Sequence, residues 1–218
     1  MHSILINIEG NIGVGKTTFI NKLKKKFTDC SFLDENVSEW INIYNNNNDN
    51  ILNRFYTNMP RYSFTFQNFV FIQRYMSLLD KIKEGNQFIF MDRSSDTDRY
   101  VFAKIQYENK NMSDIEWNIY NKWCDTISIY LNNFKQKVIY LQCNPSVALA
   151  RIEKRGRIEE KSISLEYLTK LHIYHENLMN LYDDDDKIVI DYDNDMTDDE
   201  TDKFIDKIST LIYNKFLS

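Results

Sequence analysis

The first apolar run is Ile4, Leu5, Ile6 and Ile8, and it predicts a short buried strand over Ser3 to Ile8. A glycine-containing turn follows, and Lys16 to Phe27 reads as helix. Phe32 and Leu33 suggest a second short strand, and the polar run Asn45 to Asn50 is expected to be a surface loop. Ser63 to Lys83 is rich in aromatics and free of Pro and Gly, which predicts a long helix. Gln87 to Met91 is strand-like, Ile115 to Phe134 is a second long helix, and Lys137 to Leu141 is another strand. Pro145 opens a helix that runs to about Lys154, because proline is tolerated in a first helical turn. Arg155 to Lys161 is a charged connection around Gly156, Leu165 to Tyr182 is helical, and Asp183 to Asp186 is a solvated loop. Lys187 to Ile190 gives a last strand and Asp198 to Leu217 a last helix. Strands alternating with helices predict a parallel sheet of about five strands covered on both faces.

Composition narrows the class. The 218 residues suit one domain, 1–218, and 43% hydrophobic residues are enough for a core. Five Gly and two Pro argue against long flexible linkers. With 27 basic against 32 acidic residues the formal charge is -5. That balance disfavours a duplex nucleic-acid binder, which needs a broad basic face. Cys30, Cys124 and Cys143 are odd in number and widely spaced, so neither a disulfide framework nor a metal site follows, and reduced thiols are expected. No leader pattern precedes the first strand, and no apolar run approaches the roughly 20 residues needed to span a bilayer. A cytoplasmic protein without membrane contact is the expectation.

Residues 10 to 17 read Gly-Asn-Ile-Gly-Val-Gly-Lys-Thr, a phosphate-binding loop between an apolar strand and a helix. Glycines at 10, 13 and 15 let backbone N–H groups turn inward toward a phosphate, and the helix N-terminus adds positive potential. Lys16 has the reach for the β- and γ-phosphates, Thr17 carries a hydroxyl for Mg²⁺, and Asn11 and Thr18 complete the loop. The motif specifies a nucleoside triphosphate binder and leaves the reaction open.

Three further segments bear on the acceptor: Glu35-Asn36-Val37-Ser38-Glu39-Trp40, Met91-Asp92-Arg93-Ser94, and Arg155-Gly156-Arg157 with Arg151 upstream and Glu159-Glu160 downstream. A carboxylate at the end of a parallel strand faces the ligand crevice of such a sheet. Together with Ile8-Glu9-Gly10-Asn11-Ile12-Gly13, Phe64-Thr65-Phe66-Gln67, Asp98-Arg99-Tyr100-Val101-Phe102-Ala103 and Leu165-Glu166-Tyr167-Leu168, they make the chain resemble the deoxynucleoside kinase family. The likeness runs from Ile4 to about Asp195. It implies a P-loop NTPase-type three-layer α/β fold, a central five-stranded parallel sheet flanked by helices, and an Arg-rich lid at about 151–161. It also implies ATP-dependent phosphorylation of a deoxynucleoside 5′-hydroxyl, with Mg²⁺.

By that resemblance Glu35 is the base that accepts the hydroxyl proton, and Arg93 pairs with it and steadies the transferring phosphoryl group. Asp92 binds Mg²⁺ with Thr17, while Arg151, Arg155 and Arg157 close over the phosphates, for which a guanidinium fork is suited. Phe66 and Phe102 resemble the family's stacking pair and Gln67 its reader of the base edge. On periodicity alone both phenylalanines would be core; the flanking matches reverse that. Ile12, Val37, Trp40, Leu52 and Phe55 would line the walls, and Tyr56 and Glu160 would hold the sugar 3′-hydroxyl. Arg74 and Asp98 match relatives acting on deoxycytidine or purine deoxynucleosides, whereas thymidine-preferring relatives are small or apolar there. The adenine of ATP is expected near Asp191 to Asp195, and the two long helices would pair in a homodimer. One departure is Asn36, where the family usually has Pro. Thymidylate kinase shares the fold, and a non-catalytic member would have it too, but that reading expects decay at Lys16, Glu35 or Arg93. A P-loop GTPase is disfavoured, because no Asn-Lys-x-Asp motif follows a late strand.

Overall fold

Strand β1 (Ile4–Gly10) is buried on both sides, which is why it reads as a nearly continuous apolar run and does not alternate. The computed structural model describes residues 3–44 and 49–217. β1 lies at the centre of a five-stranded, all-parallel sheet of order β2-β3-β1-β4-β5, with β2 at Ser31–Leu33, β3 at Phe88–Asp92, β4 at Lys135–Gln142 and β5 at Lys187–Asp191. Register places Ile8 beside Asp92 and Gly10 beside Leu141, so the phosphate-loop glycine and the Asp-Arg turn leave the sheet at the same carboxyl end of the strands.

The helices in chain order are α1 (Lys16–Lys24), α2 (Val37–Asn42), α3 (Ile51–Thr57), α4 (Met59–Lys83), α5 (Ser95–Thr97), α6 (Lys104–Glu108), α7 (Asp114–Leu131), α8 (Pro145–Arg155), α9 (Leu165–Met179) and α10 (Asp198–Ile212). A π-helical segment, Asp98–Ala103, joins α5 to α6, and a second, Tyr213–Leu217, follows α10. Ile6 and Ile8 of β1 pack with Phe19, Leu23, Ile205 and Ile212 under α1 and α10. Leu5 faces the opposite side, with Phe71 of α4 and Tyr120 of α7. Val138 and Tyr140 meet Leu168 and Leu171 of α9. Each such aliphatic side chain, fully buried, contributes on the order of 1.5–3 kcal/mol.

The elements depart from expectation at their ends. α4 starts four residues earlier than the expected Ser63, because Pro60 occupies its first turn and Asn58 Oδ1 accepts from the Arg61 N–H at 3.3 Å. α7 begins at a full capping box between Ser113 and Glu116. α1 stops at Lys24, not Phe27, and α9 at Met179, not Tyr182. α2, α3 and the helical stretch after Ser94 were not expected. Of the expected Asn45 to Asn50 loop, 45–48 lie outside the described residues, and Asn50 bridges to Tyr44. Among the described residues no helix is long and apolar enough to cross a membrane.

Candidate active site

A cavity of about 820 Å³ opens at the carboxyl ends of the strands. That volume and position suit small-molecule binding in an open parallel sheet. Its walls divide into a phosphate-loop end, an aromatic end and a charged middle.

At the first end, Gly13, Gly15, Lys16, Thr17 and Thr18 line the cavity. Gly13 sits at φ 81°, and a Cβ there would lie 2.5 Å from the Ala148 carbonyl oxygen and 2.6 Å from Ile152 Cγ1. Helix α8 can therefore pack against the loop only where residue 13 has no side chain. Lys16 is buried, and its Nζ donates to the carbonyls of Gly10 and Asn11, each at 3.1 Å. Burial and the neighbouring Arg93 lower its ammonium pKa to about 8. Gly10 and Asn11 support the loop from behind and do not line the cavity: the Asn11 amide donates to Leu168 O at 2.9 Å and its Oδ1 accepts from the Ile12 N–H at 2.8 Å.

The aromatic end is built by α2, α3 and α4. Phe66 stacks on Phe55 with ring centroids 4.6 Å apart and meets Trp40 edge-on at 5.4 Å. Trp40 is fixed by its indole N–H, which donates to Gln73 Oε1 at 2.7 Å. Ile12, Val37, Leu52, Tyr56, Gln67 and Phe102 complete the slot. Gln67 is buried, and among the described residues its amide has no hydrogen-bond partner.

Between the ends lies a cluster of charge. Arg93 adopts φ 73°, a left-handed conformation that costs a non-glycine residue on the order of 1–3 kcal/mol. Several contacts hold it there. Its N–H donates to Ile8 O at 3.1 Å, Nη1 donates to Gly10 O at 2.7 Å, and the guanidinium carbon lies 4.7 Å from the Phe102 ring centre. Nε donates to Glu35 Oε1 at 3.3 Å, and Arg74 Nη2 lies 3.8 Å from the same oxygen. Burial pushes the Glu35 carboxyl upward, but Arg93, Lys16 and Arg74 outweigh it, so Glu35 titrates below its ordinary value. Asn36, the N-cap of α2, has φ −82°, close to the proline torsion, so the backbone just after Glu35 turns toward the helix much as a proline would make it.

Arg74 stands behind this cluster and outside the cavity wall. Its Nε and Nη2 donate to the two oxygens of Asp98 at 2.8 and 3.3 Å, and its Nη1 donates to the backbone carbonyls of Asp92 and Arg93. The same side chain thus ties Asp98, which does line the cavity, to the Asp-Arg turn.

Two buried carboxylates at strand ends each leave one oxygen unpartnered among the described residues: Asp92 Oδ1 and Glu9 Oε2. Glu9 Oε1 accepts from the Ser94 N–H at 2.7 Å. Burial, then Glu35, raises Asp92 to about 6. Asp92 lines the same cavity as Thr17, and an orphaned carboxylate oxygen there suits a hard cation that keeps most of its waters. Among the described residues no set of three or more His, Cys, Asp or Glu side chains could hold a metal, so such a cation would depend on substrate phosphates as well.

The arginines expected to form the lid behave differently from one another. Arg151 is tied down: Nη1 donates to Val14 O at 3.0 Å and Tyr192 O at 2.8 Å, and Nη2 donates to Asp193 O at 3.1 Å and Asp195 Oδ1 at 3.0 Å. It is a brace between the phosphate loop and the loop after β5. Arg155 and Arg157 lie on either side of Gly156, the left-handed C-cap of α8, and both pair with Glu160. Glu160 is buried in the 3-10 turn Ile158–Glu160, and neighbouring Glu159 accepts from the Asn50 amide. Asp191 is not at the cavity: its Oδ1 accepts from the Asp193 N–H at 3.1 Å and shapes the turn, while Asn194, Asp195 and Met196 reach the wall. Val14, Tyr167 and Tyr192 also line the cavity, although none was given a site role of its own from sequence.

A sequence model of the family described as deoxynucleoside kinase matches residues 6–217. The chain is 39% identical over 194 residues to deoxycytidine kinase of Homo sapiens, covering 79% of this chain and 74% of that one. It is 33% identical over 192 residues to mitochondrial deoxyguanosine kinase of Xenopus laevis, covering 79% and 71%. To a probable deoxycytidine kinase of Fowlpox virus (strain NVSL) it is 30% identical over 175 residues, covering 80% and 71%. With a phosphate loop, an Asp-Arg turn and an aromatic slot around one cavity, and with these matches over most of its length, the chain belongs to the deoxynucleoside kinase family.

Proposed function

We propose that this enzyme transfers the terminal phosphoryl group of ATP to the 5′-hydroxyl of a deoxynucleoside, with deoxycytidine preferred, purine deoxynucleosides close behind and thymidine poor. The observation that carries this reading is the Glu35 carboxylate, set between Arg93 and Arg74 where the phosphate-loop end of the cavity meets the aromatic end. A nucleoside base would lie in the slot of Phe66, Phe55 and Phe102, with Gln67 toward its edge, Tyr56 and Glu160 on the sugar, and its 5′-hydroxyl toward Glu35. Glu35 would accept the hydroxyl proton as the phosphoryl group transfers.

The donor would lie along the phosphate loop, its adenine toward Asn194 and Met196. Lys16, Arg93, Arg155 and Arg157 would neutralise charge on the phosphate oxygens, which is most of what phosphoryl transfer asks of a protein. Asp92 and Thr17 would hold Mg²⁺. That ion, when bound, neutralises charge between the donor's phosphates.

The four natural deoxynucleosides and their 5′-monophosphates, assayed side by side, test this. Deoxycytidine should give the highest kcat/KM, and no monophosphate should be turned over at a comparable rate. Thymidine at the head of the series would overturn the specificity, and a preferred monophosphate would overturn the reaction.

A homodimer through the two long helices is the proposed assembly. Met76 of α4 and Ile119 and Trp123 of α7 are large apolar side chains with 53%, 42% and 49% of their surface exposed. Ile119 and Trp123 are one helical turn apart and share a face. Sedimentation should give a dimer for the wild type and a monomer for Trp123→Glu; a monomeric wild type would refute the assembly.

A further inference from the structure

α9 turns Leu168, Leu171, His175 and Leu178 to the core. His175 is the polar member of that apolar face, and it is fully buried. Its Nδ1 is 2.7 Å from Leu171 O, one helical turn back. A carbonyl only accepts, so Nδ1 carries the proton and Nε2 presents its lone pair. Nε2 lies 3.5 Å from Arg93 Nη1, which therefore donates to it. The ring is held flat against Tyr140, centroids 6.1 Å apart, and edge-on to Phe102, also at 6.1 Å.

We infer that His175 is a positioning residue for phosphoryl transfer: as a neutral acceptor beneath Arg93 it fixes which edge of that guanidinium faces the reacting phosphate. The inference rests on the proposed role of Arg93. Among the described residues, Nε of Arg93 is engaged by Glu35, and Nη1 by Gly10 O and His175. Among the described residues Nη2 has no hydrogen-bond partner, and Arg93 lines the cavity. Rotation about the side-chain torsions of Arg93 would swing the guanidinium plane and turn Nη2 away from the cavity. The acceptors on Nη1 oppose that rotation, and Phe102 supports the plane from its face.

The choice of an imidazole follows from charge. A carboxylate at this point would hold Nη1 more strongly but would cancel the cation that the phosphoryl oxygens need. Burial, and then Arg93 itself, push the imidazole pKa well below its usual value, so His175 accepts without contributing charge. A hydroxyl or a methyl group would not fill the space between Tyr140 and Phe102.

Two substitutions separate positioning from packing. His175→Phe keeps a flat ring in the stack and removes the acceptor; His175→Gln can place an amide oxygen near the Nε2 position. For His175→Phe, kcat should fall on the order of 100-fold while nucleoside KM changes little, as expected when a reacting group is slightly misdirected. His175→Gln should recover most of that loss, and the recovery should not track the thermal midpoint. Unchanged kcat in His175→Phe, or equal losses in both variants that follow a lowered midpoint, would overturn the inference. Arg93→Lys is measured alongside. If it retains full kcat, the reading of Arg93 fails; if it loses kcat while His175→Phe does not, only the inference about His175 fails.

Discussion

Glu35→Gln should lower kcat by about 10²–10⁴-fold while leaving nucleoside KM within a few-fold of wild type, the signature of a lost proton acceptor and not of lost binding. The substitution keeps the shape of the side chain and removes its charge. In the free enzyme Glu35 is held below its ordinary pKa by Arg93, Lys16 and Arg74, against the opposing effect of burial. A carboxylate so stabilised is ionised at neutral pH but is a weak base. Donor phosphates entering beside Lys16 and Arg93 would draw on the same cations and release part of that hold. Glu35 would then gain basicity when the donor is in place, which favours transfer to the nucleoside over unproductive proton exchange. A kcat unchanged in Glu35→Gln would remove Glu35 from this role. A large rise in KM with kcat preserved would make it a binding group.

The second large effect is expected at Arg74 and Asp98, and the single and double substitutions should differ in kind. Arg74→Met leaves Asp98 buried opposite an apolar group, and breaking such a pair from one side costs about 3–5 kcal/mol. For a chain of this length that lowers the thermal midpoint on the order of 10 °C. Adding Asp98→Ala removes the stranded carboxyl and should restore much of the midpoint. The double variant should also raise kcat/KM for thymidine relative to deoxycytidine, since space opens beside Gln67 and Phe102. It should still be slower than wild type on every nucleoside, because Arg74 Nη1 also holds the carbonyls of Asp92 and Arg93. Thermal melts and a four-nucleoside panel on the three proteins decide the matter. A double variant with no gain for thymidine would show the pair to be structural only.

Local chemistry was legible where a few adjacent residues suffice. The glycines of the phosphate loop, the Asp-Arg turn and the paired arginines around Gly156 each announce themselves within eight residues, and the alternation of apolar runs foretold five parallel strands. Groups whose surroundings come from distant segments were harder. Asp191 ends a strand as Asp92 does, yet it faces the amide of Asp193, because β5 is the edge strand and its loop folds back under Arg151. Arg151 looked like its neighbours at 155 and 157, but its carbonyl partners at Val14, Tyr192 and Asp193 come from two other loops. Glu9 and His175 lie in apolar runs that mark them as core by position. Their contacts, to Ser94 and to Arg93, cross from β1 and α9 to the turn after β3. α2 and α3 escaped notice because they are short and flank an asparagine run that breaks any apolar rhythm.

The brace at Arg151 divides the donor side into a seat and a flap. The seat, made of the phosphate loop and the loop after β5, is cross-linked through one guanidinium and would stay assembled from one turnover to the next. The flap would begin past Arg155, with Gly156, the left-handed C-cap of α8, as its hinge, and its far end rests against α3, where the nucleoside would lie. Product release on this account would break the Arg155–Glu160 pair across the hinge and the Glu159–Asn50 contact, and would leave helix α8 where it is. Substitutions in 192–196 would then change which triphosphate is accepted, and substitutions in 155–160 how quickly the product leaves, with little exchange between the two.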